Sequence, residues 1–366
     1  MPPRGSSESA PAVSDYEACG MELAVERMWW CVRVGGMVVA GNIGECGRGV
    51  RPAAWRLAVA FSVVYLGYGL NFLAVKVGVE TMPPFLFAGA HVVLAGILLW
   101  AWKAVREGKM LMPADAMARA ALAAFFLFVG GVGLVTLGEK LGVASGKAAM
   151  IKASVPLWVA VLEALRPKGE KPAGIVVVGL LIGAAGVAML VLPGLAGGAA
   201  GDSEIRGMAA LLASAALFAV GTLIVRHHPP TEDSTWNAAW MMLCGGAFLL
   251  GCGAALGEAR EVETGDFTPR MLAAFLFLLF VHSLAAFSAM NWLLRHLPAP
   301  VVATKFHVSP AIATVAGFLV LGESVAGFAI VGLVMILAGV GVVMAGERRQ
   351  RSTPALRPDD ADELEG

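Results

Sequence analysis

The sequence predicts an all-α integral membrane protein with ten transmembrane helices as two inverted five-helix repeats. First, the 366-residue chain is 58% hydrophobic and only 15% charged, whereas a typical soluble domain has about 25% charged residues. Second, its apolar residues form blocks of about twenty, which is the length that crosses a bilayer. Third, segments 169–187 and 322–340 lie 153 residues apart and are identical at ten of nineteen positions. Such a duplication in an apolar chain is typical of transporters built from two like halves.

Ten apolar blocks predict the ten helices, because a helix satisfies all of its own backbone hydrogen bonds in lipid. The fourth and ninth blocks differ from the others, since each carries a lysine and a proline. In chain order the predicted spans are 57–77, 84–102, 117–137, 144–163, 173–193, 207–225, 236–256, 271–291, 300–320 and 325–345.

Lysine and arginine are divided unequally between the two sides of this predicted bundle. The side that holds both ends of the chain carries fourteen of them near the spans, and the other side carries six. Because positive loops stay inside, both termini are expected to be cytoplasmic in a multi-pass protein of the inner or plasma membrane. Five helices is an odd number, so the second half enters the membrane inverted, an arrangement that permits alternating access.

The chain divides into five predicted parts. The N-terminal extension contains the short apolar run MWWCVRVGGMVVAG, interrupted by Arg33, and is expected to be disordered or interfacial, with an eleventh helix as the alternative. The parts are the extension at 1–50, a first repeat at 55–193, a Gly/Ala-rich linker at 194–205, a second repeat at 206–345 and a disordered cytoplasmic tail at 346–366.

Several function classes conflict with the sequence. The net charge is zero, which argues against a nucleic-acid partner, since such a partner needs a basic face. The five cysteines have no CxxC or zinc-site spacing, so we expect no metal and no other cofactor. No GxxxxGK[ST] loop is present, so ATP is not expected to drive the protein directly.

Three segments of the chain carry a resemblance to a known family. The run YGLNFLAVK at 68–76 is similar to a W-G-x-N-F-x-x-x-K opening, with Tyr68 in place of tryptophan. The run VPLWVAVLEAL contains Pro156, and LRHLPAPVVATKFHVSPAIATVAGFLVLGE at 294–323 contains Pro310 and ends in Leu-Gly-Glu. Together, across 55–345, they resemble the EamA family of the drug/metabolite transporter superfamily. The resemblance implies a ten-helix bundle that moves small metabolites, often amino acids or related compounds, outward.

Lys152, Lys305 and Asn71 are the candidates for substrate binding. The 153-residue offset of the duplication relates the two lysines, and a charged residue within a span usually faces a cavity or a partner. Two such ammonium groups would suit a carboxylate or phosphate, although each lysine could instead extend to the interface. Asn71 lies mid-helix, where its amide would bind substrate or join two helices by a hydrogen bond.

Three histidines and two prolines complete the candidate site. His91, His282 and His307 fall within predicted spans and are candidates for a proton relay, with ordinary packing as the alternative. Pro156 and Pro310 occupy the fourth helix of each half, where proline bends a helix. We expect both bends to line a cavity, because broken helices commonly do so in transporters.

Glu170 and Glu323 have a structural interpretation. Each begins the last helix of its half, and a carboxylate is favourable at the positive N-terminal end of a helix. The sequence therefore predicts that each stabilises the start of its own helix.

The function predicted from these features is a secondary transporter of small metabolites, not an enzyme. The expected partners are a small-molecule substrate and the lipid bilayer, and the sequence leaves proton coupling and a homodimer open. One alternative, a membrane-embedded enzyme acting on lipid-linked substrates, would need a nucleophile, paired acids or a metal set, and none is visible. The other, a passive channel, fits the inverted repeat less well than a carrier does.

Overall fold

The structure is a computed structural model that describes residues 53–108, 111–166, 173–196, 201–231, 233–297, 302, 305–323 and 326–352. Over these ranges the chain forms helices and connecting turns, with no strand. The predicted all-α architecture is therefore confirmed. The predicted N-terminal extension lies outside the described residues.

The described residues before the Gly/Ala-rich linker form eight α-helices. A π-helical stretch, Phe125–Gly133, joins the fourth and fifth of them into one continuous span. They are α1 Ala54–Gly69, α2 Asn71–Thr81, α3 Pro84–Glu107, α4 Ala114–Ala124, α5 Leu134–Lys140, α6 Ser145–Lys152, α7 Val155–Ala164 and α8 Gly174–Ala196.

Six more α-helices lie in the described residues after the linker. A second π-helical stretch, Phe277–Ala286, lies at the position that matches the first one in the repeat. They are α9 Asp202–His227, α10 Ser234–Ala255, α11 Pro269–Leu276, α12 Phe287–His296, α13 Lys305–Leu321 and α14 Gly327–Ser352. Because α14 continues to Ser352, helical structure extends past the predicted start of the tail at residue 346.

Eight spans in the described chain are long and apolar enough to cross a membrane. Their outer faces expose large apolar side chains such as Leu181, Phe280 and Val334, as expected for residues that face lipid. The bounds are Ala54–Thr81, Pro84–Glu107, Ala114–Lys140, Gly174–Leu192, Asp202–His227, Ser234–Ala255, Pro269–Leu294 and Gly327–Gly346. The chain is therefore a multi-pass membrane protein.

The other two predicted spans are less regular. The block predicted as one helix at 144–163 is two helices, α6 and α7, separated at Ala153 and Ser154. Pro156 lies in the first turn of α7, where its missing N–H is tolerated, whereas it could not donate to the Lys152 carbonyl in an uninterrupted helix. The block at 300–320 contains α13, of 17 residues.

The duplicated segments pack against each other through glycine. A Cβ built on Gly186 would lie 2.7 Å from the Gly332 carbonyl oxygen, and one on Gly332 would lie 2.9 Å from that of Gly186. Gly179 and Gly339 make the same kind of approach. In the duplication Gly179 corresponds to Gly332, and Gly186 corresponds to Gly339. Each glycine therefore contacts the counterpart of the other glycine and not its own counterpart. This crossed pairing shows that α8 and α14 run antiparallel about a local pseudo-twofold axis.

Charged side chains hold the ends of several helices on one side of the bundle. Lys76 donates to the carbonyl of Glu139 (2.7 Å) in the last turn of α5 and to that of Val143 (3.0 Å) just after it. In return, Lys140 donates to the Val79 carbonyl (2.8 Å) near the end of α2. Cations at helix C-termini are stabilising, so these two lysines of the predicted outer side have a structural role.

Glu323 corrects one prediction. Among the described residues its carboxylate bonds to a different helix from its own: it accepts from the backbone N–H (2.7 Å) and the hydroxyl (2.8 Å) of Ser145 and from the N–H of Gly146 (3.3 Å). These groups form the N-terminus of α6 in the other half. The favourable helix-end electrostatics are therefore present, but they join the two halves. Glu170 lies outside the described residues.

Candidate functional site

A cavity of about 460 Å³ lies at the centre of the bundle. This volume is within the usual range of small-molecule sites. The eight residues singled out from the sequence all line it: Asn71, His91, Lys152, Pro156, His282, Lys305, His307 and Pro310. The structure therefore brings residues from both halves of the chain around one space.

Lys152 is positioned by the end of α6, just before the chain breaks. Its ammonium group donates to the Ser214 hydroxyl at 3.1 Å and to the Gly131 carbonyl at 3.3 Å. It also lies over the ring of Phe218, 4.4 Å from the ring centre, where the face of the ring attracts a cation. Lys152 therefore lies within the bundle and does not extend to the membrane surface.

Lys305 occupies the corresponding place on α13. Its ammonium group lies 3.8 Å from the centre of the Tyr68 ring and 2.9 Å from the sulfur of Met290. The lysine thus has an aromatic and a thioether neighbour, both of which are weak partners for a cation compared with a carboxylate.

The two lysine–aromatic pairs are related by the repeat. Lys152 of the first half lies over Phe218 of α9, and Lys305 of the second half lies over Tyr68 of α1. Helices α1 and α9 each begin a predicted half, and Tyr68 and Phe218 are 150 residues apart. Each lysine is therefore held by an aromatic ring from the first helix of the opposite half, although the two rings are 150 residues apart and the two lysines 153.

The histidines differ in their partners. His91 has Nδ1 3.0 Å from the Phe87 carbonyl oxygen, and His282 has Nδ1 3.1 Å from that of Gly67. A carbonyl can only accept, so each Nδ1 carries a proton and donates, which leaves Nε2 as an acceptor in the neutral ring. The buried Nδ1 of His307 has no partner among the described residues.

The π-helical stretches and the prolines shape the cavity wall. Gly131 of the first stretch and His282 of the second both line the cavity. A π-helical turn reorients side chains and occurs often at functional sites. Pro156 lines the cavity from the start of α7, and Pro310 lines it from inside the continuous helix α13. The two prolines are 154 residues apart, one more than the offset of the repeat, and they lie in different local structures.

The described wall of the cavity is basic and apolar. It contains two lysines and three histidines and no aspartate or glutamate. Two ammonium groups without a carboxylate would be stabilised by an anion in this enclosed space, where electrostatic interactions are stronger than in water. The arrangement suits a small molecule that carries a carboxylate or a phosphate.

Sequence reasoning missed the groups that hold the lysines. From the sequence, Tyr68 was named only because it stands in place of a tryptophan. Phe218 and Ser214 were not predicted to belong to the site. The available signal was an aromatic residue in the first helix of each half, Tyr68 and Phe218, 150 residues apart.

The EamA-like transporter family matches this chain twice, over residues 55–192 and 205–345. Three relatives from the curated proteins match along most of their length. The uncharacterized inner membrane transporter YedA of Escherichia coli K12 is 29% identical over 82% of this chain and 94% of its own. The uncharacterized transporter YvbV of Bacillus subtilis 168 is 26% identical over 81% and 94%. A probable amino-acid metabolite efflux pump of Salmonella typhimurium LT2 is 26% identical over 79% and 95%.

A solved structure, titled only as the crystal structure of a protein, has the same fold. It matches 80% of this chain and 97% of its own with a TM-score of 0.53, at 19% sequence identity. The family match covers both halves of the bundle and supplies most of the helices that surround the cavity. The resemblance stated from the sequence is thereby confirmed, and the chain belongs to the EamA-like transporter family of membrane transporters.

Proposed function

We propose that this transporter is a secondary carrier that moves small metabolites across the cell membrane by alternating access. Its two halves, 55–193 and 206–345, would act as inverted five-helix repeats with both termini in the cytoplasm. The crossed glycine pairs of α8 and α14 support an inverted relationship, and the excess of lysine and arginine on one side supports the orientation. The relative named as an inner membrane transporter supports the location.

The proposed substrate is an amino acid or a related compound with a carboxylate. The observation that carries this proposal is the pair of lysines, Lys152 and Lys305, in a described cavity wall without an acidic residue. In the proposal both ammonium groups bind the carboxylate and Asn71 binds a second polar group of the substrate. Export is the proposed direction, because one relative is named a probable efflux pump for amino-acid metabolites.

A gradient of protons or of substrate would drive this transport. His91, His282 and His307 line the cavity, and histidine can exchange protons near neutral pH. We therefore include them as candidates for a proton relay. A channel and a lipid-modifying enzyme are the competing functions, and neither requires a pair of equivalent lysines held by opposite halves.

Counterflow in proteoliposomes tests this proposal. The purified full chain is reconstituted, loaded with an unlabelled compound and diluted into the same labelled compound at low concentration. The five probes are L-leucine, L-glutamate, succinate, glycerol 3-phosphate and putrescine. A carrier gives saturable counterflow with at least one carboxylate or phosphate probe. A channel or an enzyme gives no counterflow with any probe, and counterflow with putrescine alone would contradict the proposed substrate class.

A further inference from the structure

A buried carboxyl group lies outside the cavity, and no role described so far uses it. Glu139 of α5 is 1% exposed, and neither of its carboxyl oxygens has a hydrogen-bond donor among the described residues. Buried polar groups in folded proteins nearly always have a partner, and an ionised one without a partner is costly. The exception at Glu139 therefore requires a physical explanation.

Two other carboxylates on the same side of the bundle, the buried Glu258 and the partly buried Glu323, have hydrogen-bond donors for both of their oxygens. Glu258 accepts from the backbone N–H groups of Phe85 (3.3 Å) and Leu86 (2.9 Å) at the start of α3. Glu323 accepts three hydrogen bonds at the start of α6. Each of these anions has donors at a helix N-terminus, which is a favourable place for negative charge. Glu139 has no such donor among the described residues, so no hydrogen bond from them stabilises its ionised form in this conformation.

The charged groups around Glu139 come from the neighbouring elements. Lys76 of α2 is close, but its ammonium group donates to the backbone carbonyl of Glu139 and not to its carboxylate. Glu323, after α13, is close enough to repel a negative charge on Glu139. Lys140, the next residue of α5, donates to the Val79 carbonyl. On α6 and α9, Lys147 is paired with Glu204 at 2.6 Å, and Arg206 donates to the Asp202 carbonyl.

The position of Glu139 places it between the surface and the cavity. Val135, one helical turn earlier, lines the cavity, and the next residue, Lys140, is exposed. Close packing seals the region between them: a Cβ on Gly138 would lie 3.0 Å from the Gly207 carbonyl oxygen, and one on Gly207 would lie 2.8 Å from that of Gly138. Because Glu139 is buried, its carboxyl group could meet water only if the end of α5 separated from its neighbours.

We propose that Glu139 is the site that binds and releases the coupling proton of this transporter. In the conformation described here its carboxyl group is protonated and neutral. When the end of α5 separates from its neighbours, the carboxyl group releases its proton to water and the carboxylate can pair with the Lys76 ammonium group. Closure restores the neutral carboxylic acid by uptake of one proton. The proposal rests on the proposed function, since only a carrier needs a coupling proton.

The experiment compares two transport modes in the same proteoliposomes. Counterflow at equal pH measures exchange, which does not need a change of protonation, and accumulation under an imposed pH gradient of either polarity measures coupling. The substrate is whichever of the five probes gives the largest counterflow signal. With one proton per substrate, wild-type protein should accumulate about tenfold per unit of pH difference.

Glu139→Gln should keep counterflow and lose accumulation, because the amide has the shape of the neutral acid but cannot release a proton. Glu258→Gln is the matched control and should keep both modes, with unfolding temperature measured for each variant. The proposal is overturned if Glu139→Gln accumulates like wild type, or if folded Glu139→Gln loses counterflow as well. It is also overturned if wild type shows counterflow but no accumulation, a result that leaves the carrier function intact. If wild type shows no counterflow, the proposed function itself fails.

A direct measurement of protonation needs no substrate. Infrared spectra of the purified chain at neutral pH should contain the carbonyl band of a protonated carboxylic acid in an apolar site. The band should be absent in Glu139→Gln and present in Glu258→Gln. A band that persists in Glu139→Gln, or its absence from wild type, would contradict the assignment.

Discussion

Gly179 and Gly339 contact each other at the crossing of α8 and α14. A Cβ on Gly179 would lie 2.9 Å from the Gly339 carbonyl oxygen, and a Cβ on Gly339 would lie 2.6 Å from that of Gly179. These neighbours are backbone atoms, which cannot move aside as a flexible side chain can. In lipid, where helices associate mainly by close packing, such contacts are a principal source of association energy.

Gly339→Val should therefore destabilise the protein. The added side chain forces α8 and α14 apart, and overpacking of this kind costs about 1–3 kcal/mol. The measurement is the unfolding temperature in detergent, together with the fraction of monodisperse protein. Gly341→Val on the same helix is the control, because a Cβ there meets nothing within 4 Å. Equal unfolding temperatures for the two variants would show that the crossing does not depend on glycine.

Glu323 should stabilise the protein through its hydrogen bonds to the other half of the molecule. Glu323→Gln removes the charge from three hydrogen bonds at the N-terminus of α6, and bonds to a charged group contribute about 1.5–3 kcal/mol. Ser145→Ala should have a smaller effect, since the backbone N–H of residue 145 still donates. Glu80→Gln is the control, because Glu80 pairs with Arg270 at the surface at 3.6 Å, and such pairs contribute about 0–1 kcal/mol.

The order of unfolding temperatures checks this prediction. We expect Glu323→Gln to be the lowest, followed by Ser145→Ala and then Glu80→Gln near wild type. If Glu323→Gln unfolded at the same temperature as Glu80→Gln, the contact of Glu323 with α6 would not contribute to stability, and the prediction would be wrong.

Asp233 lies on the other side of the bundle and should make the stability of the protein depend on pH. Burial alone would raise its pKa, but hydrogen bonds from Lys103 and from the N–H groups at the start of α10 hold the pKa below the usual aspartate value. Its stabilising contribution is therefore complete above the ordinary pKa of about 4 and is lost as the pH falls through the lower value in the folded protein.

Asp233→Asn should consequently unfold at a lower temperature than wild type at pH 7. The difference should shrink as the pH is lowered through the acidic range, because the wild-type carboxylate becomes protonated. The measurement is the unfolding temperature of both proteins across that range. A difference that stays constant with pH would show that the charge of Asp233 is not responsible.

Much of the fold could be predicted because membrane insertion constrains sequence strongly. Blocks of about twenty apolar residues predict the bounds of most spans to within a few residues, because almost no structure other than a helix is stable in lipid. The break between α6 and α7 at Ala153 could not be located by hydropathy, because Pro156 was expected only to bend one helix. The continuation of α14 past residue 346 was missed because its last turns are charged and lie beyond the apolar block.

The candidate site could be predicted where the repeat supplied a constraint. The 153-residue offset selected Lys152 and Lys305, and both line the cavity. Partners distant in the chain had no such signal: Ser145 and Glu323 are 178 residues apart, and nothing in the sequence relates them. Glu139 was overlooked for the same reason, since its lack of a hydrogen-bond donor is a property of the packed bundle.

The most direct test of the central claim is counterflow by lysine variants. Lys152→Met and Lys305→Met remove the ammonium groups but keep long apolar side chains, so both variants should fold and should lose saturable counterflow of the carboxylate or phosphate probe that wild type exchanges. Lys147→Met is the control, because Lys147 pairs with Glu204 outside the cavity lining, and it should exchange that probe at the wild-type rate. Exchange at the wild-type rate by folded Lys152→Met and Lys305→Met would contradict a substrate site between the two lysines.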